Sequence, residues 1–394
     1  MKKILLLLLF PLTVSSQMIT YPFNSHSYEL LGQINGLPTA YAFLRITPDA
    51  RAGGMGDGSV AASNDANAIY WNPSRLAFNK TRYGFAFSYA PWLRALIPDM
   101  NHFYAAACFK PDSLSAIAGS VAYLPLGAWF STSTVGYVQA SQMSVDAAYA
   151  RRFHQHFSAG VTGRYIISNN VYYAGNSTAA FCFDAGLSWV GNDFDVKNWN
   201  GHFQSGLAIT NIGPKVDVSG FGYKEFLPTN LALAFGGEFE REEKHFVAFQ
   251  IEANKLLVPT PPVYAVDSNG YPVIAPNGQY VIAAGKDYNR SAFEGMMGSF
   301  NDSPYGAKDE FREIAWSAGV EYDYRHFVKA RSGFFYEHET KGARQYCTFG
   351  LGLQYKNCKF DVSYFLPVNA QWSPLQNQMK FTLIVQWNKF AHAK

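Results

Sequence analysis

The sequence predicts an all-β transmembrane protein, an antiparallel β-barrel of about 14 strands with an N-terminal plug inside the barrel. Three observations predict this fold class. The 394 residues include 16% aromatic but only 15% charged residues, a balance that is unusual for a soluble protein. Long stretches alternate between apolar and polar or small side chains, which is the period of a β-strand. No stretch after the N-terminus reaches the ~20 apolar residues that a membrane-spanning helix needs.

Residues 1–16 are expected to form a cleaved signal peptide. Lys2 and Lys3 precede an apolar run from Ile4 to Leu12, and small or polar residues follow, which is the layout of a secretory signal. Residues 17–80 are expected to form the N-terminal segment and plug. Residues 81–394 are expected to form the barrel, with a long cell-surface loop near 258–312.

The most distinctive stretch is PDARAGGMGDGSVAASNDANAIYWNPSRLAF, residues 48–78. Its glycines lie among charged residues and favour close packing of the backbone. A short helix is expected over 65–71, and it should end at Asn72, because the residue before a proline is pushed away from helical backbone angles. The residues of this predicted plug motif are Asp49, Arg51, Gly53, Gly54, Gly56, Asp57, Trp71, Asn72 and Pro73.

Glycines beside aspartates also occur in phosphate-binding loops. Here the pattern GxxxxGK[ST] is absent, and GGMGDG lacks the spacing and the strand-to-helix context of a dinucleotide fingerprint. The formal net charge of +3 is too small to indicate a nucleic-acid partner. Neither nucleotide binding nor nucleic-acid binding is therefore expected.

The two halves of this stretch, PDARAGGMGD and DANAIYWNPSRLAF, resemble the N-terminal segment of the PorV family, also called LptO. These are outer-membrane shuttle proteins of the type IX secretion system and belong to the FadL-like barrels. The resemblance implies a FadL-like barrel in the bacterial outer membrane that binds secreted cargo at the translocon and delivers it to the cell-surface attachment complex. The implied partners are the translocon barrel, the C-terminal domains of secreted cargo, attachment-complex proteins and outer-membrane lipids.

Alternation takes over after Phe78. In the first run, Tyr83, Phe85 and Phe87 form an aromatic face, and the residues between them are small. An even number of strands suits a bacterial single-chain barrel, whose short turns face the periplasm. The predicted strands lie near 81–92, 102–111, 115–126, 139–153, 157–169, 177–190, 201–212, 227–241, 245–257, 313–325, 327–339, 345–356, 358–368 and 378–389.

The gap 258–312 is unusually apolar for a solvated loop. Its segment 271–275 can pair as a hairpin with 263–267 or with 279–283, and the sequence leaves both pairings open. Met and aromatic residues at a polar edge often mark adaptable binding surfaces, whereas a loop folded over its own barrel mouth is the alternative. Shorter apolar sites are expected in two other outside gaps. The candidate partner-binding residues are Trp92, Leu93, Trp129, Phe130, Tyr264, Tyr271, Tyr280, Met296 and Met297.

Charged residues at inward strand positions should pair with charges of the plug, because a charge inside a barrel needs a partner or water. The plug offers Arg45, Asp49, Arg51, Asp57 and Asp65. The inward strand positions carry Asp146, Arg152, Arg164, Asp184, Glu238, Glu252, Glu321, Asp323, Lys329, Arg331, Asp361 and Lys380.

The sequence contains no GxSxG, HExxH or CxxC motif, so no catalytic residue is expected. Five His-Phe dipeptides are spread over separate strands, which favours an interfacial girdle over a metal site. Cys347 and Cys358 should lie at opposite ends of one strand, too far apart for a disulfide. We expect free thiols, no metal, no cofactor and no enzymatic activity.

Two other functions stay open. A FadL-like transporter of hydrophobic small molecules would need a continuous apolar cavity past the plug. A lipopolysaccharide O-deacylase would need Ser, His and an acid together near the outer leaflet, and the sequence does not show such a cluster.

Overall fold

The structure is a computed structural model that describes residues 35–94, 97, 99–132, 136–169, 177–218, 222–268, 271–368 and 378–389. For residues 127–132 and 136–139 it describes the backbone alone. The predicted signal peptide, residues 1–16, lies outside the described residues.

Fourteen antiparallel strands of the described chain close into a barrel. Each strand pairs with the next one along the chain, and the last pairs with the first through Thr81 and Lys389. The predicted antiparallel barrel of about 14 strands is confirmed. The strands are β1 (Thr81–Pro91), β2 (Asn101–Phe109), β3 (Ser115–Thr132), β4 (Gly136–His154), β5 (Phe157–Asn169), β6 (Ser177–Val190), β7 (Trp199–Ile212), β8 (Asn230–Arg241), β9 (His245–Leu256), β10 (Ile314–Tyr324), β11 (Val328–Tyr336), β12 (Gln345–Tyr355), β13 (Cys358–Pro367) and β14 (Met379–Lys389).

The strands alternate between an exposed apolar face and a buried face that is polar or small. On β6, for example, Phe181 and Phe183 are exposed whereas Cys182 and Asp184 are buried. This is the arrangement of a barrel whose outer surface meets lipid and whose inner surface holds polar groups. Cys108, Cys182, Cys347 and Cys358 are all free, as predicted.

The two ends of the barrel have different connections. The tight turns 242–244, 325–327 and 356–357 lie at one end, which we call the short-turn end. Glu242, Glu243, Arg325 and His326 there have positive φ, which matches the twist of two-residue hairpin turns. The other end, the long-loop end, carries 257–313. We predict that the short-turn end faces the periplasm, because barrels of this kind in bacterial outer membranes place their short turns on that side.

The gap 191–200 between the predicted strands 177–190 and 201–212 is longer than a periplasmic turn should be. The structure gives it a short strand, Phe194–Val196, which folds back on Trp199–Gly201 as a tight hairpin. The connection is therefore compact.

Four predicted strand boundaries were wrong. β3 and β4 continue through the region predicted as a loop around Trp129, and Trp129 pairs with Val138. The alternation of apolar and polar residues is interrupted there, but the two strands stay paired through two register shifts. A search for a period of two in the sequence cannot detect such shifts. In addition, β8 begins at Asn230 and β11 ends at Tyr336, which shortens both strands by three residues relative to the predicted 227 and 339.

The N-terminal segment, residues 35–79, is built from short helical turns. They are the 3-10 helix Ala42–Arg45, α1 (Ala50–Gly53), α2 (Ala68–Trp71) and the 3-10 helix Pro73–Phe78. Of the helix expected over 65–71, only Ala68–Trp71 is helical, as α2, and the helix stops before Asn72, whose φ of −158° is extended. Among the described residues, no helix is long and apolar enough to cross a membrane.

The connection 257–313 has secondary structure of its own. It contains the short strands Val263–Tyr264 and Ile282–Ala284 and two short helices, α3 (Ala292–Gly298) and α4 (Ala307–Arg312). Ser291 begins α3 with a capping box, because its side chain accepts from the Glu294 N–H and the Glu294 carboxylate accepts from the Ser291 N–H. The connection between β7 and β8 carries a two-residue hairpin, Val216–Asp217 with Lys224–Glu225.

Candidate functional site

The N-terminal segment lies against the inward face of the strands at backbone distance. A Cβ on Gly206 would stand 2.5 Å from the Val60 carbonyl oxygen, and a Cβ on Gly160 would stand 2.6 Å from the Pro73 carbonyl carbon. Glycine therefore leaves room where the segment passes closest. The wall glycines that meet the segment in this way are Gly160, Gly186, Gly206, Gly319, Gly333 and Gly350.

Wall side chains satisfy backbone groups of the segment. The Ala50 N–H donates to Thr382 Oγ1 at 2.8 Å, and the Gly56 N–H donates to Thr348 Oγ1 at 2.9 Å. The Val60 N–H donates to the Glu252 carboxylate at 2.9 Å. These are groups that would be costly to bury without a partner. The wall therefore replaces the partners that a regular helix or strand would have supplied.

Three ion pairs join the segment to the wall or its rim. Arg51 Nε lies 3.2 Å from a Glu321 carboxylate oxygen, and Lys380 Nζ lies 3.0 Å from Asp57 Oδ1. Arg45, nearer the long-loop end, lies 3.5 Å from the Glu337 carboxylate.

Two other acids expected to pair with the wall are used within the segment. The Asp49 carboxylate accepts from the Ala52 N–H at 2.8 Å and from the Trp71 indole N–H at 2.8 Å. The Asp65 carboxylate accepts from the Asn67 N–H at 2.9 Å. Both carboxylates are thus used by hydrogen bonds within their own segment rather than by ion pairs with the wall.

A stack of buried aromatic rings lies behind Asp57. Phe335, Tyr346 and Phe365 come from β11, β12 and β13, with ring centroids 5.0 and 5.1 Å apart and nearly parallel planes. Arg344 covers the Phe335 end of the stack, and Lys380 covers the Phe365 end. The Tyr346 hydroxyl donates to Asp57 at 2.6 Å. The stack therefore positions the carboxylate that holds Lys380.

A cavity of about 140 Å³ lies between the segment and the wall of β7 to β12 toward the long-loop end. Tyr70, Trp71, Phe335 and Tyr346 contribute aromatic walls, and Arg45 is among the charged lining residues. The volume is below the roughly 300 Å³ at which pockets for drug-sized ligands begin.

Buried charges anchor the long connection at its base. Lys255 at the end of β9 lies 2.6 Å from Glu313, and Lys341 lies 3.0 Å from the same carboxylate and 2.8 Å from Asp309. Thr260 Oγ1 donates to Glu313 at 2.5 Å. Buried ion pairs that share partners stabilise the contact between their elements, because removing one partner leaves the others as buried charges without compensation. We call Lys255, Thr260, Asp302, Asp309, Glu310, Glu313 and Lys341 the base.

Asp302 is the member of the base without a cation. Burial raises the pKa of Asp302 to about 6, helped by the nearby carboxylates of Glu310 and Glu313 and opposed by the Thr260 N–H that donates to it. Its other carboxylate oxygen is buried, with no hydrogen-bond partner among the described residues.

The outer part of the connection, residues 263–284, forms a small closed unit that we call the tip. The Val273 N–H donates to the Ala265 carbonyl at 2.8 Å, the Ala265 N–H to Val281 at 2.8 Å, and the Val281 N–H to Val273 at 2.9 Å. Both pairings that the sequence left open for 271–275 are thus present together. The three central residues are eight positions apart, which reflects a weak repeat around Asn269-Gly270 and Asn277-Gly278.

The tip exposes large apolar side chains. Tyr271 is 70% exposed, and Val266 and Ile274 are each 61% exposed. Tyr264 and Tyr280 are also exposed, with ring centroids 5.4 Å apart. Among the residues from 263 to 284 that are described, Asp267 alone is charged. Exposed aromatic surface with little charge is typical of protein interaction sites.

The other candidate partner-binding residues have different surroundings. Met297 on α3 is exposed, and Met296 is half-buried. Trp92 and Leu93 are half-buried and pack against the buried apolar cluster that includes Phe43 of the N-terminal segment. The backbone of Trp129 and Phe130 belongs to β3, and their side chains lie outside the described part of the chain.

Sequence reasoning missed several surface and anchoring residues. Phe293, Phe300 and Phe311 are exposed on the same connection as the tip, and Lys255 and Lys341 form ion pairs in the base. The sequence of the capping box, Ser291 to Glu294, would have indicated α3. No local signal could have paired Lys341 with Asp309, because these residues meet through the tertiary structure alone.

The described residues contain no group of His, Cys, Asp and Glu that could hold a metal ion. The His–Asp pairs that they do contain, His202 with Asp193 and His326 with Asp323, lie at the short-turn end.

The PorV family, described as "Type IX secretion system protein PorV", matches residues 32–263. This chain belongs to the PorV family. It is therefore an outer-membrane β-barrel protein of the type IX secretion system. No curated protein matches the sequence.

Several solved structures have a similar arrangement at low identity. The Pseudomonas putida toluene transporter TodX is 10% identical, with 89% of this chain and 98% of that chain covered and a TM-score of 0.45. The Ralstonia pickettii toluene transporter TbuX is 11% identical, with 91% and 100% covered and a TM-score of 0.44. A Pseudomonas aeruginosa FadL homologue is 10% identical, with 90% and 100% covered and a TM-score of 0.41.

Proposed function

We propose that this barrel is a non-enzymatic carrier that binds secreted cargo proteins at the type IX translocon and delivers them to the cell-surface attachment complex. Its partners are then the translocon barrel, the C-terminal domains of the cargo and proteins of the attachment complex. The observation that carries the proposal is the tip: an exposed aromatic surface whose described residues include one charge, Asp267, on a base of buried ion pairs. A carrier needs such a surface, and membership in the PorV family assigns the protein to the type IX secretion system.

The tip suits reversible binding. Burying a large apolar side chain contributes about 1.5–3 kcal/mol, so two or three tip residues together supply the free energy of a useful but reversible contact. The tip is also preorganised, because its three extended segments are joined by backbone hydrogen bonds. Little conformational entropy is then lost when a partner binds.

In this proposal the N-terminal segment acts as a plug. Its backbone meets wall glycines and its charges pair with Glu321 and Lys380, so moving it would expose buried charges on both sides. The small cavity beside it is lined by charged as well as aromatic residues. These observations disfavour passage of a hydrophobic small molecule through the barrel. A deacylase of lipopolysaccharide would need its catalytic residues near the outer leaflet. The described His–Asp pairs lie instead at the short-turn end, which is expected to face the periplasm, and this disfavours deacylation.

The test replaces residues 264–283 by Asn-Gly. Val263 and Ala284 are paired across the strands, so a two-residue turn can join them without disturbing the base. The variant should reach the outer membrane in normal amount, while cargo accumulates in the periplasm or loses its surface attachment. Uptake of long-chain fatty acids should not change.

A matched control removes an exposed aromatic side chain outside the tip. Phe311 on α4 is 65% exposed, close to the 70% of Tyr271. Phe311→Ser should secrete normally, whereas Tyr271→Ser combined with Ile274→Ser should reproduce part of the defect. Normal cargo display by the shortened protein would contradict a role of the tip, and reduced fatty-acid uptake would favour the transporter.

A further inference from the structure

The exposed charges of the short-turn end are distributed unevenly around the barrel. On the arc from β10 through β14 and β1 to β5, the described residues at this end expose one acid, Asp112, and five cations. On the remaining arc, the turns 191–198 and 242–244 expose four acids and two lysines. We call these two turns the acidic arc. The five cations, which we call the basic arc, are Lys80, Arg82, Arg151, Arg325 and Lys356.

Three cations of the basic arc lie over aromatic rings. Arg82 Cζ lies 5.8 Å from the centroid of the Tyr83 ring and 5.7 Å from that of the Phe109 ring. A cation at this distance is attracted by the negative face of the ring. The rings therefore fix the position of the charged groups above them. The two other pairs are Arg325 over Tyr324 at 5.4 Å and Lys356 over Tyr355 at 5.2 Å.

The rings beneath these cations belong to one band. Tyr83 stacks between Phe109 and Trp387, with its ring centroid 5.3 and 5.5 Å from theirs. The turn 356–357 lies beside Trp387, because its backbone accepts from the Gln386 N–H at 2.8 Å. The stack under Arg82 thus continues toward the turn that carries Lys356.

The turn that carries Arg325 joins the same band. The Gln354 N–H, one residue before Tyr355, donates to the Phe327 carbonyl at 2.8 Å. The turns 325–327 and 356–357 are therefore neighbours on the rim. Three cations thus lie along one band of rings that runs from β10 to β2.

The acids near the basic arc are already used. Asp323 pairs with Lys329 at 2.9 Å. The Asp112 carboxylate accepts from the N–H groups of Leu114 and Ser115, both at 2.7 Å. Within the described part of the chain, no cation of the basic arc has a carboxylate at ion-pair distance. The basic arc therefore has an excess of positive charge.

The acidic arc has a different chemistry. Arg241 and Lys244 lie 3.6 and 4.0 Å from the Glu242 carboxylate, so their charges are compensated. The rings there, such as Phe203 and Phe239, pack on each other with centroids 5.6 Å apart. In the ranges that the structure describes, no cation lies over these two rings. Excess positive charge over exposed rings is therefore a feature of one side of the barrel.

The position of the band indicates which kind of partner the basic arc fits. Tyr355 is 68% exposed and Trp387 is 38% exposed, both on the face that meets lipid. Aromatic rings at the ends of membrane strands lie at the level of the lipid headgroups. Cations held over such rings then lie at the level of the phosphate groups. A soluble acidic protein would instead meet the ends of the turns.

We propose that the basic arc binds the headgroups of anionic phospholipids in the leaflet that meets the short-turn end. The planar guanidinium groups of Arg82 and Arg325 can each donate two hydrogen bonds to one phosphate group, and Lys356 adds a further positive charge. Basic clusters beside a membrane attract anionic lipids in this way. The band of rings packs against the glycerol and the first methylene groups of the acyl chains. This inference goes beyond the carrier function and does not depend on it.

The first experiment is native mass spectrometry of the purified full-length barrel with phosphatidylglycerol or phosphatidylcholine of identical acyl chains. The wild type should bind phosphatidylglycerol about tenfold more tightly, because two or more cations attract its net charge. Arg82→Gln combined with Lys356→Gln should remove this preference. Arg82→Lys combined with Lys356→Arg keeps both charges and should retain it.

The acidic arc supplies the matched control. Arg241→Gln combined with Lys244→Gln removes the same number of charges at the same end of the barrel. This variant should prefer phosphatidylglycerol as the wild type does. Heat-dependent gel mobility checks that every variant is folded.

The second experiment locates the lipid with two tryptophans of the short-turn end. Trp387 lies in the band, and Trp189 on β6 has a similar exposure, 44% against 38%. Phosphatidylglycerol with bromine atoms near the headgroup should quench the fluorescence of the wild type more than brominated phosphatidylcholine does. Trp387→Phe should abolish this difference, and Trp189→Phe should preserve it.

Equal affinity of the wild type for the two lipids, or an equal loss in the two Gln double variants, would overturn the lipid site. So would a quenching difference that survives Trp387→Phe. A secretion defect of Arg82→Gln with Lys356→Gln at unchanged lipid binding would point to an acidic protein partner and would also overturn it. None of these lipid measurements tests cargo binding, so their failure leaves the carrier function untouched.

Discussion

At the scale of single residues, close backbone contact explains the glycines of the N-terminal segment. Gly56 has a φ of +76°, and a Cβ there would stand 2.7 Å from the carbonyl oxygens of both Ala318 and Phe334. Gly278 in the tip has a φ of +80° with open space around it. The two positions share a backbone conformation and differ in crowding, which allows the two effects to be separated.

Gly56→Ala should lower the free energy of unfolding by about 1–3 kcal/mol more than Gly278→Ala, the range expected for overpacking. Both variants carry the strain of a positive φ, but only the first forces a methyl group against two carbonyls. Urea unfolding in detergent micelles measures the difference. An equal loss in the two variants would mean that the segment does not press against β10 and β11.

Asp57 neutralises the positive charge of Lys380, the most buried lysine among the described wall residues. Lys380 is 1% exposed and has Asp57 as its ion-pair partner at 3.0 Å. Asp57→Ala should cost about 3–5 kcal/mol, because it leaves a buried charge without a partner. Combining Asp57→Ala with Lys380→Met should recover much of that loss, since no charge then remains. The same unfolding measurement decides, and a double variant as unstable as the single one would contradict this account.

At the scale of elements, the long connection is stabilised at its base rather than along its length. Burial raises the pKa of Asp302 to about 6, above the usual ~3.9 for aspartate. The folded connection therefore favours the neutral carboxyl group. The stability that this preference contributes is fully present below about pH 4 and is lost as the pH rises through about 6.

Asp302→Asn should remove this pH dependence, because the amide stays neutral beside Glu310 and Glu313 and can still accept the Thr260 N–H. The measurement is the rate of proteolysis within 257–313 at about pH 5 and about pH 7.5. Dividing the wild-type rate by the variant rate at each pH cancels the pH dependence of the protease. The ratio should be larger at the higher pH, and a constant ratio would show that Asp302 does not titrate in this range.

At the scale of the whole molecule, the inequality of the two ends predicts the orientation in the membrane. An epitope tag after Asn289, in the long connection, should be stained on intact cells. A tag after Glu243, in the tight turn between β8 and β9, should be stained only after the outer membrane is permeabilised. Surface staining of the Glu243 tag would reverse the topology and with it the placement of the tip.

Much of the barrel could be predicted from the sequence because its signal is local. Alternation with a period of two shows in most strands, and a series of strands that each have one polar and one apolar face is typical of a barrel wall. The predicted count of strands and the free cysteines follow from this pattern. It failed around Trp129, where register shifts keep the ladder going after the alternation has stopped.

The sequence by itself determined that a barrel of fourteen strands follows a glycine-rich N-terminal segment, and that an apolar connection separates the ninth and tenth strands. Only the tertiary structure decided that Lys341 meets Asp309, that Asp57 meets Lys380, and that the ladder between β6 and β7 ends at Phe183. The physical reason is that strand character depends on neighbours in the chain. The pairing of charges and the end of a strand ladder depend instead on the closed barrel. Its closure decides which residues lie at the same height.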